Sequence, residues 1–337
     1  MLKARSGEEL RALTVKLGSR SISVIDVHVH PKIIPMNKLI DPERLVEEMD
    51  KAGVDKAVLL AVETDPVDFD RFMDEERKKE ACLEYYRFYR RSYAYILDEG
   101  LLLYEFSTEV KRLLNLVNTT NEAVKKYVDK YPERFIGFGS LNPNKPRDYV
   151  DEKIRLIKAY GFKGIKLLPT IQFFNPEDLK MEMVYEKAEK EGLILLMHTG
   201  CDPGPWEVVC FSRDANPKYL DKVARNHPNL VIIAAHMGSY SALEPGIWFN
   251  EMVTVLKGNE NVYADVSAVD EALIKRALEL GVSEDKILYG SDYPAVSGWC
   301  DTSTGMGNPV KAILNLDVKD EVKEKILGGN AKRLLGL

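Results

Sequence analysis

The feature that most constrains the fold of this chain is a repeated alternation of short apolar strands with helical segments. Short apolar runs bounded by turn residues indicate buried strands, and apolar residues three or four positions apart indicate the helices between them. The predicted strands cover residues 22–30, 56–62, 135–141, 164–168, 193–198, 230–236, 262–266 and 286–291. Strands that are apolar on both faces and separated by helices pair in parallel. Eight such units in 337 residues predict an α/β protein with a (β/α)8 TIM barrel.

One connection is much longer than a crossover helix requires. Roughly seventy residues separate the second and third predicted strands. We interpret this stretch, which lies within residues 63–130, as a helical insertion on the barrel rim. The barrel itself is predicted to cover residues 21–337. Residues 1–20 are predicted to form an N-terminal helical extension, because Ser6 and Glu9 have the spacing of a capping box.

Four of the five histidines follow or end predicted strands. His28 and His30 end the first strand, His198 the fifth and His236 the sixth, and Asp292 follows the eighth. The carboxyl ends of barrel strands form one mouth, where active sites of this fold are built. Imidazole is the commonest protein ligand of transition metals. The pattern predicts a site of three imidazoles and one oxygen ligand.

Two further residues help to test this interpretation. His227 precedes a predicted strand, so it is expected at the opposite mouth, packed at a helix end. Alternate residues of a strand share a face, so Asp26 is expected to point in the same direction as His28 and His30. Asp26 would then either orient a ligating imidazole or act as a buried structural carboxylate.

At these residues the chain resembles the amidohydrolase superfamily, and within it the amidohydrolase-2 branch related to aminocarboxymuconate-semialdehyde decarboxylase. The branch contains metal-dependent hydrolases and decarboxylases. The resemblance covers nearly the whole barrel. The motifs that carry it are Asp26-Val27-His28-Val29-His30, Gly161-Phe162-Lys163-Gly164-Ile165-Lys166-Leu167, His198-Thr199-Gly200, Ala235-His236-Met237-Gly238, Gly290-Ser291-Asp292-Tyr293-Pro294 and the closing Gly329-Asn330-Ala331-Lys332-Arg333-Leu334-Leu335-Gly336.

The resemblance implies a divalent metal, usually zinc. Its implied ligands are the side chains of His28, His30, His198 and Asp292. His236 is implied to face the substrate or a metal-bound water. The branch often has a histidine after the Lys-Leu pair of strand four; Leu168 stands there in this chain, so that histidine's role does not transfer.

Lys166 has three interpretations. Binuclear relatives carry a carbamylated lysine at the end of strand four that bridges two metals, whereas this branch usually holds one. We therefore expect one metal per chain, with Lys166 as an ammonium that contacts a substrate carboxylate or Asp292. A carbamylated Lys166 with two metals and a structural ion pair are the alternatives.

The predicted chemistry allows more than one reaction. The leading interpretation is hydrolysis of a C–N or C–O bond in an amide, cyclic amide, lactone or ester by metal-bound hydroxide. Asp292 would accept the proton of the nucleophile, and His236 would stabilise the oxyanion or act as acid or base. The alternative is non-oxidative decarboxylation of an aromatic or unsaturated carboxylic acid. The third is an inactive metal-binding scaffold, against which the complete donor set argues.

Residues in the loops that follow the strands are expected to choose the substrate. Trp206 and Trp299 lie in such loops and would suit a planar or unsaturated molecule, although rim packing explains them equally well. Arg87 would bind a carboxylate or belong to a solvated helix face. The tyrosines near it would then pack helices or form a homodimer surface.

Composition excludes several classes of partner. The net charge is −6 and lysine and arginine are scattered, so no surface for nucleic acid is expected. The longest apolar runs are strand-sized, and the N-terminus lacks a secretory signal, so no membrane segment is expected. The four cysteines show no paired spacing, which indicates free thiols in a reducing cytoplasm. The expected partner is a small-molecule substrate.

Overall fold

A computed structural model of the chain describes residues 14–89, 99–202, 204–295 and 307–337. Eight parallel strands form its central sheet, and each pairs with its neighbours in the sequence. The strands, labelled β1 to β8, are Ile25–Val29, Lys56–Leu60, Phe135–Ser140, Gly164–Leu167, Ile194–Met197, Ile232–Ala234, Val262–Asp265 and Ile287–Leu288. Every predicted strand contains one of them, so the strand predictions are confirmed.

Backbone hydrogen bonds join the two ends of this sheet. Val27 N–H donates to the oxygen of Tyr289 at 3.0 Å, and His30 N–H donates to the oxygen of Tyr293 at 2.8 Å. The segment that follows β8 thus pairs with β1 and closes the sheet into a barrel. The predicted (β/α)8 barrel is confirmed.

The helices cover the outside of the barrel and its rim. Labelled α1 to α15, they are Pro42–Ala52, Pro66–Phe72, Glu75–Tyr89, Glu99–Val117, Asn121–Lys130, Arg147–Ala159, Pro169–Gln172, Leu179–Lys190, Val209–Ser212, Leu220–Asn226, Phe249–Gly258, Glu271–Glu279, Gly307–Asn315, Asp320–Glu324 and Asn330–Leu335. Four of them, α2 to α5, lie between β2 and β3. This confirms the predicted helical insertion after the second strand. Within the described residues, no helix has the length and apolarity that crossing a bilayer would require.

The start of the chain departs from its prediction. Residues 1–13, with the expected capping box, lie outside the described residues. In the rest of the predicted helical extension, Lys16–Leu17 pairs with Arg20–Ser21 as a two-stranded antiparallel hairpin. Gly18, at φ 60°, makes the tight turn that this hairpin requires. A second short hairpin joins Lys32–Ile33 to Lys38–Leu39.

The interior of the barrel is an apolar cluster contributed by the strands. It includes Ile25, Val27, Leu60, Phe138 and Leu196. The strict alternation predicted for residues 24–30 fails, because the register between β1 and β2 shifts between Asp26 and Val29. Ile25 and Val27, which were expected to face away from His28, therefore belong to the interior cluster. Bulges of this kind re-aim side chains beside active sites.

The helical insertion is attached to the loop that follows β5. Arg77 of α3 donates to the backbone oxygens of Cys210 and Phe211 at 2.9 and 2.7 Å and to Asp214 Oδ2 at 2.7 Å. Apolar side chains from α2, α4 and α9 fill the space between them, and Phe69, Phe106 and Phe211 are all buried. The insertion is therefore packed over the carboxyl ends of the strands.

A segment near the C-terminus packs against the first strand. Lys325–Gly329 forms a π-helical turn that leads into α15. A Cβ atom on Gly328 would collide with the backbone oxygen of Ser23. A Cβ atom on Gly329 would meet the backbone oxygen of Glu324 at 3.5 Å and its carbonyl carbon at 3.9 Å, which are ordinary contacts. Gly328 therefore allows a close approach that no other residue permits.

We expect Gly328→Ala to lower the free energy of unfolding by about 1–3 kcal/mol, because the added methyl group forces two backbones apart. Gly329→Ala is the matched control. Gly329 has right-handed helical dihedral angles, so alanine there should be neutral or stabilise the protein by about 0.5–1 kcal/mol. Denaturant unfolding of both variants tests this. Equal destabilisation by both would contradict the packing of this turn on the strand.

Candidate metal centre

The first strand delivers two imidazoles to the mouth of the barrel. His28 is fully buried, and its Nδ1 lies 2.9 Å from Asp265 Oδ2. A carboxylate only accepts hydrogen bonds, so Nδ1 carries the proton and Nε2 presents its lone pair to the site. Burial, assisted by the positive charge of Lys166, holds the pKa of His28 well below its usual value. Burial does the same for His30, so both rings are neutral and able to bind a metal.

Asp292 faces these two rings from the other end of the sheet. Its Oδ1 lies 3.4 Å from His30 Nε2 and 3.6 Å from His28 Nε2. Two ligands that each lie about 2.1 Å from a tetrahedral ion are about 3.4 Å apart. These separations are long for hydrogen bonds and match the spacing of ligands around one ion.

His236 joins the same group of donors. A ligand atom from each of His28, His236 and Asp292 lies within 4.8 Å of the others. His236 Nδ1 is 3.0 Å from the backbone oxygen of Ser267 and 2.9 Å from its Oγ. The backbone oxygen can only accept, so Nδ1 carries the proton and Nε2 remains as the lone-pair nitrogen. Burial lowers the pKa of His236 to about 4.

His198 lies beside His236. The centroids of the two rings are 5.0 Å apart. His198 Nε2 is buried and, among the residues that the structure describes, has no hydrogen-bond partner. A buried nitrogen without a partner costs free energy that a metal ion would recover. Of the predicted ligands, Asp292 thus lies at ligand spacing from His28 and His30, and His198 contacts the group through the ring of His236. The donor chemistry of these residues fits a divalent ion, and the role of His198 as a ligand stays a prediction.

Lys166 lies next to the first-strand histidine His28. It is fully buried, and its Nζ lies 3.3 Å from His28 Nε2. Burial lowers its pKa to about 8, while the charges of Asp265, Asp292 and Asp202 oppose that shift. The lysine is therefore inside the donor group, where its ammonium or carbamate state would change the charge of the centre.

The side chain of Asp26 contacts backbone N–H groups and not an imidazole ring. Its Oδ1 accepts the backbone N–H of His28 at 3.0 Å and of Ser291 at 3.1 Å. Burial raises its pKa to about 7. Of the two roles considered for Asp26, these contacts favour the structural one, since they tie β1 to the segment that follows β8.

Sequence reasoning missed three residues of the site. Asp265 holds the His28 ring, Ser267 contacts the rings of His28 and His236, and Asp202 lies beside His198. Asp265 is the last residue of β7, so it carried the same signal as Asp292: a carboxylate at the carboxyl end of a predicted strand. Asp202 and Ser267 lie in loops, where no periodic pattern marks them.

The predicted substrate residues are not brought to the donors as a group. Trp206 is buried in the apolar cluster under the helical insertion, and Arg87 is exposed on α3. Trp299 lies outside the described residues. The roles of all three in substrate binding stay predictions.

His227 lies away from the donor group, as expected. It follows α10, and its Nε2 and Nδ1 lie 3.0 and 3.4 Å from carboxylate oxygens of Glu182 and Glu189 on α8. These contacts give it a packing role at the helix end.

Comparison with known proteins identifies the family. A family model described as Amidohydrolase matches residues 25–337. The chain belongs to the amidohydrolase family. This confirms the resemblance seen in the motifs, and the protein is accordingly an enzyme of a metal-dependent family.

Individual relatives of this amidohydrolase are decarboxylases. The 2-amino-3-carboxymuconate-6-semialdehyde decarboxylase of Dictyostelium discoideum is 26% identical over 276 residues, which is 72% of each chain. A 5-carboxyvanillate decarboxylase of Novosphingobium aromaticivorans, complexed with manganese, matches with a TM-score of 0.60 at 17% identity, covering 98% of this chain and 100% of the other. A 2,6-dihydroxybenzoate decarboxylase from Rhizobium matches with a TM-score of 0.59 at 15% identity, covering 94% and 99%. At these identities the two structures support the fold alone.

We expect the purified wild-type protein to contain one divalent metal per chain, and His28→Ala to lose metal and activity together. His227→Ala should lose neither, since its ring contacts only the helix-end carboxylates and packing partners. Elemental analysis of protein purified without added metal measures both. Loss of metal from a folded His227→Ala variant, or a metal-free wild type, would contradict this assignment of the centre.

Proposed function

We propose that this amidohydrolase catalyses the metal-dependent, non-oxidative decarboxylation of a small aromatic or unsaturated carboxylic acid. The observation that carries the proposal is the match to a decarboxylase over 72% of both chains. The leading expectation from the sequence, hydrolysis of a C–N or C–O bond, is less well supported by the relatives than this alternative. The converged donors also make an inactive scaffold the weakest interpretation.

Decarboxylation places two demands on the site. The bond between the carboxylate carbon and its neighbour breaks, carbon dioxide leaves, and the electron pair stays on the remaining carbon, which then takes a proton. A bound divalent ion supplies a Lewis acid that holds substrate oxygens. We assign its ligands as His28, His30, His198 and Asp292. The protein must orient the acid and deliver the proton.

His236 is the residue that we assign to proton delivery. Ser267 fixes its Nδ1, so Nε2 is the nitrogen that exchanges a proton with the substrate. Burial lowers the pKa of this ring to about 4, so the resting ring is neutral. It would take a proton at Nε2 from a water in the site, and the resulting imidazolium, a stronger acid than that of an ordinary histidine, would give that proton to the substrate carbon.

Lys166 and Asp292 would orient the substrate. The Lys166 ammonium, buried beside His28, would attract an anionic carboxylate into the site. Asp292 would hold the ion and accept a proton from a water or hydroxyl group brought to it. In a hydrolase the same carboxylate would accept the proton of the attacking water, which is why ligand geometry alone does not choose between the two reactions.

The ion and the cellular setting belong to the same proposal. We propose one ion per chain. Zinc is the ion that the motifs imply, whereas one decarboxylase of similar fold was solved with manganese, and elemental analysis decides between them. The three described cysteines, Cys82, Cys201 and Cys210, are free thiols, which supports a reducing cytoplasm. A homodimer formed through the tyrosine-rich rim stays a proposal.

We expect a panel of aromatic and unsaturated carboxylic acids, lactones and amides to yield carbon dioxide from at least one acid. His236→Asn should lower turnover by about 10²-fold, because the proton donor is lost, while metal content stays at one. Isotope-ratio detection of carbon dioxide and titration of released acid separate the reactions. Acid release from a lactone or amide, with no carbon dioxide from any acid, would restore hydrolysis as the function.

We expect Lys166→Ala to leave metal content at one and to raise KM for an anionic substrate, because the variant removes only an ammonium. Native intact-mass measurement of the wild type should show an unmodified lysine. A mass increase corresponding to carbon dioxide, or a wild-type content of two ions that falls toward one in Lys166→Ala, would show the carbamylated bridge instead.

A further inference from the structure

One carboxylate at the site has no role among the predicted ligands. Asp202 lies in the loop after β5, four residues beyond His198, and its side chain is 15% exposed. Its Oδ1 is 3.4 Å from His198 Nε2. Its Oδ2 is buried and, within the described part of the chain, has no well-formed hydrogen bond, and the Thr170 hydroxyl is the side chain that stabilises this carboxylate. One hydroxyl donates a single hydrogen bond, so part of the capacity of this carboxylate to accept remains unused.

The contact between Asp202 and His198 is not a hydrogen bond. The His198 ring bonds to the backbone of Gly200, and because Nε2 has no partner, that bond belongs to Nδ1. His198 Nε2 thus carries a lone pair, and it faces a carboxylate oxygen. Two electron-pair donors facing each other in a buried position are unfavourable unless a proton or a metal cation lies between them.

The same spacing occurs in a second pair of donors at the site. Asp292 Oδ1 is also 3.4 Å from a ring nitrogen, that of His30. Both pairs therefore have the separation of about 3.4 Å that neighbouring ligands of one ion adopt. The centroid of the His236 ring is 4.9 Å from that of His28 and 5.0 Å from that of His198, so this ring contacts donors of both groups. The charge of Asp202 also acts on both Asp292 and Lys166, so it faces the same space.

We propose that Asp202 is a fifth protein ligand of the metal centre, paired with His198. The proposal rests on the metal dependence in the proposed function and adds a second carboxylate to the implied ligands. A second carboxylate raises the coordination number above four. Because carboxylate oxygens suit Mn²⁺ better than imidazole does, and four-coordinate sites suit Zn²⁺, Asp202 raises affinity for Mn²⁺ more than affinity for Zn²⁺.

Calorimetric titration of chelator-treated protein with Mn²⁺ and with Zn²⁺ tests this directly. We expect Asp202→Asn to weaken Mn²⁺ binding by about tenfold or more, and Zn²⁺ binding by less. The d–d absorption of the Co²⁺-substituted variant should become stronger than in the wild type, since a lower coordination number intensifies these bands. Asp202→Glu, which keeps the carboxylate, should recover part of the Mn²⁺ affinity.

Glu207→Gln is the matched control. This variant removes one negative charge from the same loop. In the wild type, Glu207 Oε1 accepts from Ser241 Oγ at 2.6 Å and from Ala242 N–H at 2.8 Å, so this carboxylate is held by the segment after His236. Its Mn²⁺ affinity and Co²⁺ spectrum should match those of the wild type. Thermal melts establish that each variant is folded before titration.

Three results would overturn the proposal. Unchanged metal affinities and Co²⁺ spectrum in Asp202→Asn would exclude coordination, including the case in which only substrate binding weakens. Equal loss of metal affinity in Asp202→Asn and Glu207→Gln would show that the loss comes from the reduced negative charge of the loop and not from a lost ligand. A wild-type chain that binds neither ion would remove the metal centre itself. A failed carbon dioxide assay with intact metal results would instead overturn only the proposed reaction.

Discussion

The rest of the site depends on the hydrogen bonds that the buried carboxylate of Asp265 accepts. Its Oδ2 holds His28 Nδ1 at 2.9 Å, and its Oδ1 accepts the backbone N–H of His236 at 3.0 Å and of Ser267 at 3.0 Å. One fully buried group therefore sets the tautomer of one imidazole and the backbone position of another. Hydrogen-bonded carboxylates of this kind orient ligating histidines and increase their basicity.

Backbone conformation at the strand ends supports the same arrangement. His236 and Asp292 both have positive φ angles, 58° and 53°, which for residues other than glycine cost of order 1–3 kcal/mol each. The backbone N–H of each residue is held by a neighbouring strand: that of His236 donates to the side-chain oxygen Asp265 Oδ1, and that of Asp292 donates to the backbone oxygen of His28 at 2.9 Å. The sheet therefore keeps the two side chains turned toward the mouth of the barrel.

The helical insertion holds a loop that carries one residue of the site. Arg77 fixes α3 to the loop after β5 through three hydrogen bonds, and that same loop carries Asp202. Trp206 is buried beneath the insertion with Phe211. The packing of the insertion and the position of a candidate ligand are thus coupled through one loop, so changes in the insertion are expected to reach the metal centre.

Strand and helix periodicity, together with the histidines at strand ends, determined the barrel, the insertion and the mouth at which His28, His30, His198, His236 and Asp292 meet. These are local signals, because they depend on residues that are neighbours in the sequence and on the common direction of parallel strands. The directions in which individual side chains point could not be predicted from such local signals. A register shift between β1 and β2 placed Ile25 and Val27 in the interior beside the histidines, and Asp26 bonded the backbone instead of a ring.

Only the tertiary structure could pair Asp265 with His28, which is 237 residues away in the sequence, or bring Asp202 opposite a lone pair of His198. Periodicity marks residues that repeat along one element, and these two carboxylates act across the closed sheet or from a loop. The sequence by itself therefore determined which strand ends carry the predicted ligands. The closure of the barrel and the packing of its loops decided which carboxylates surround them.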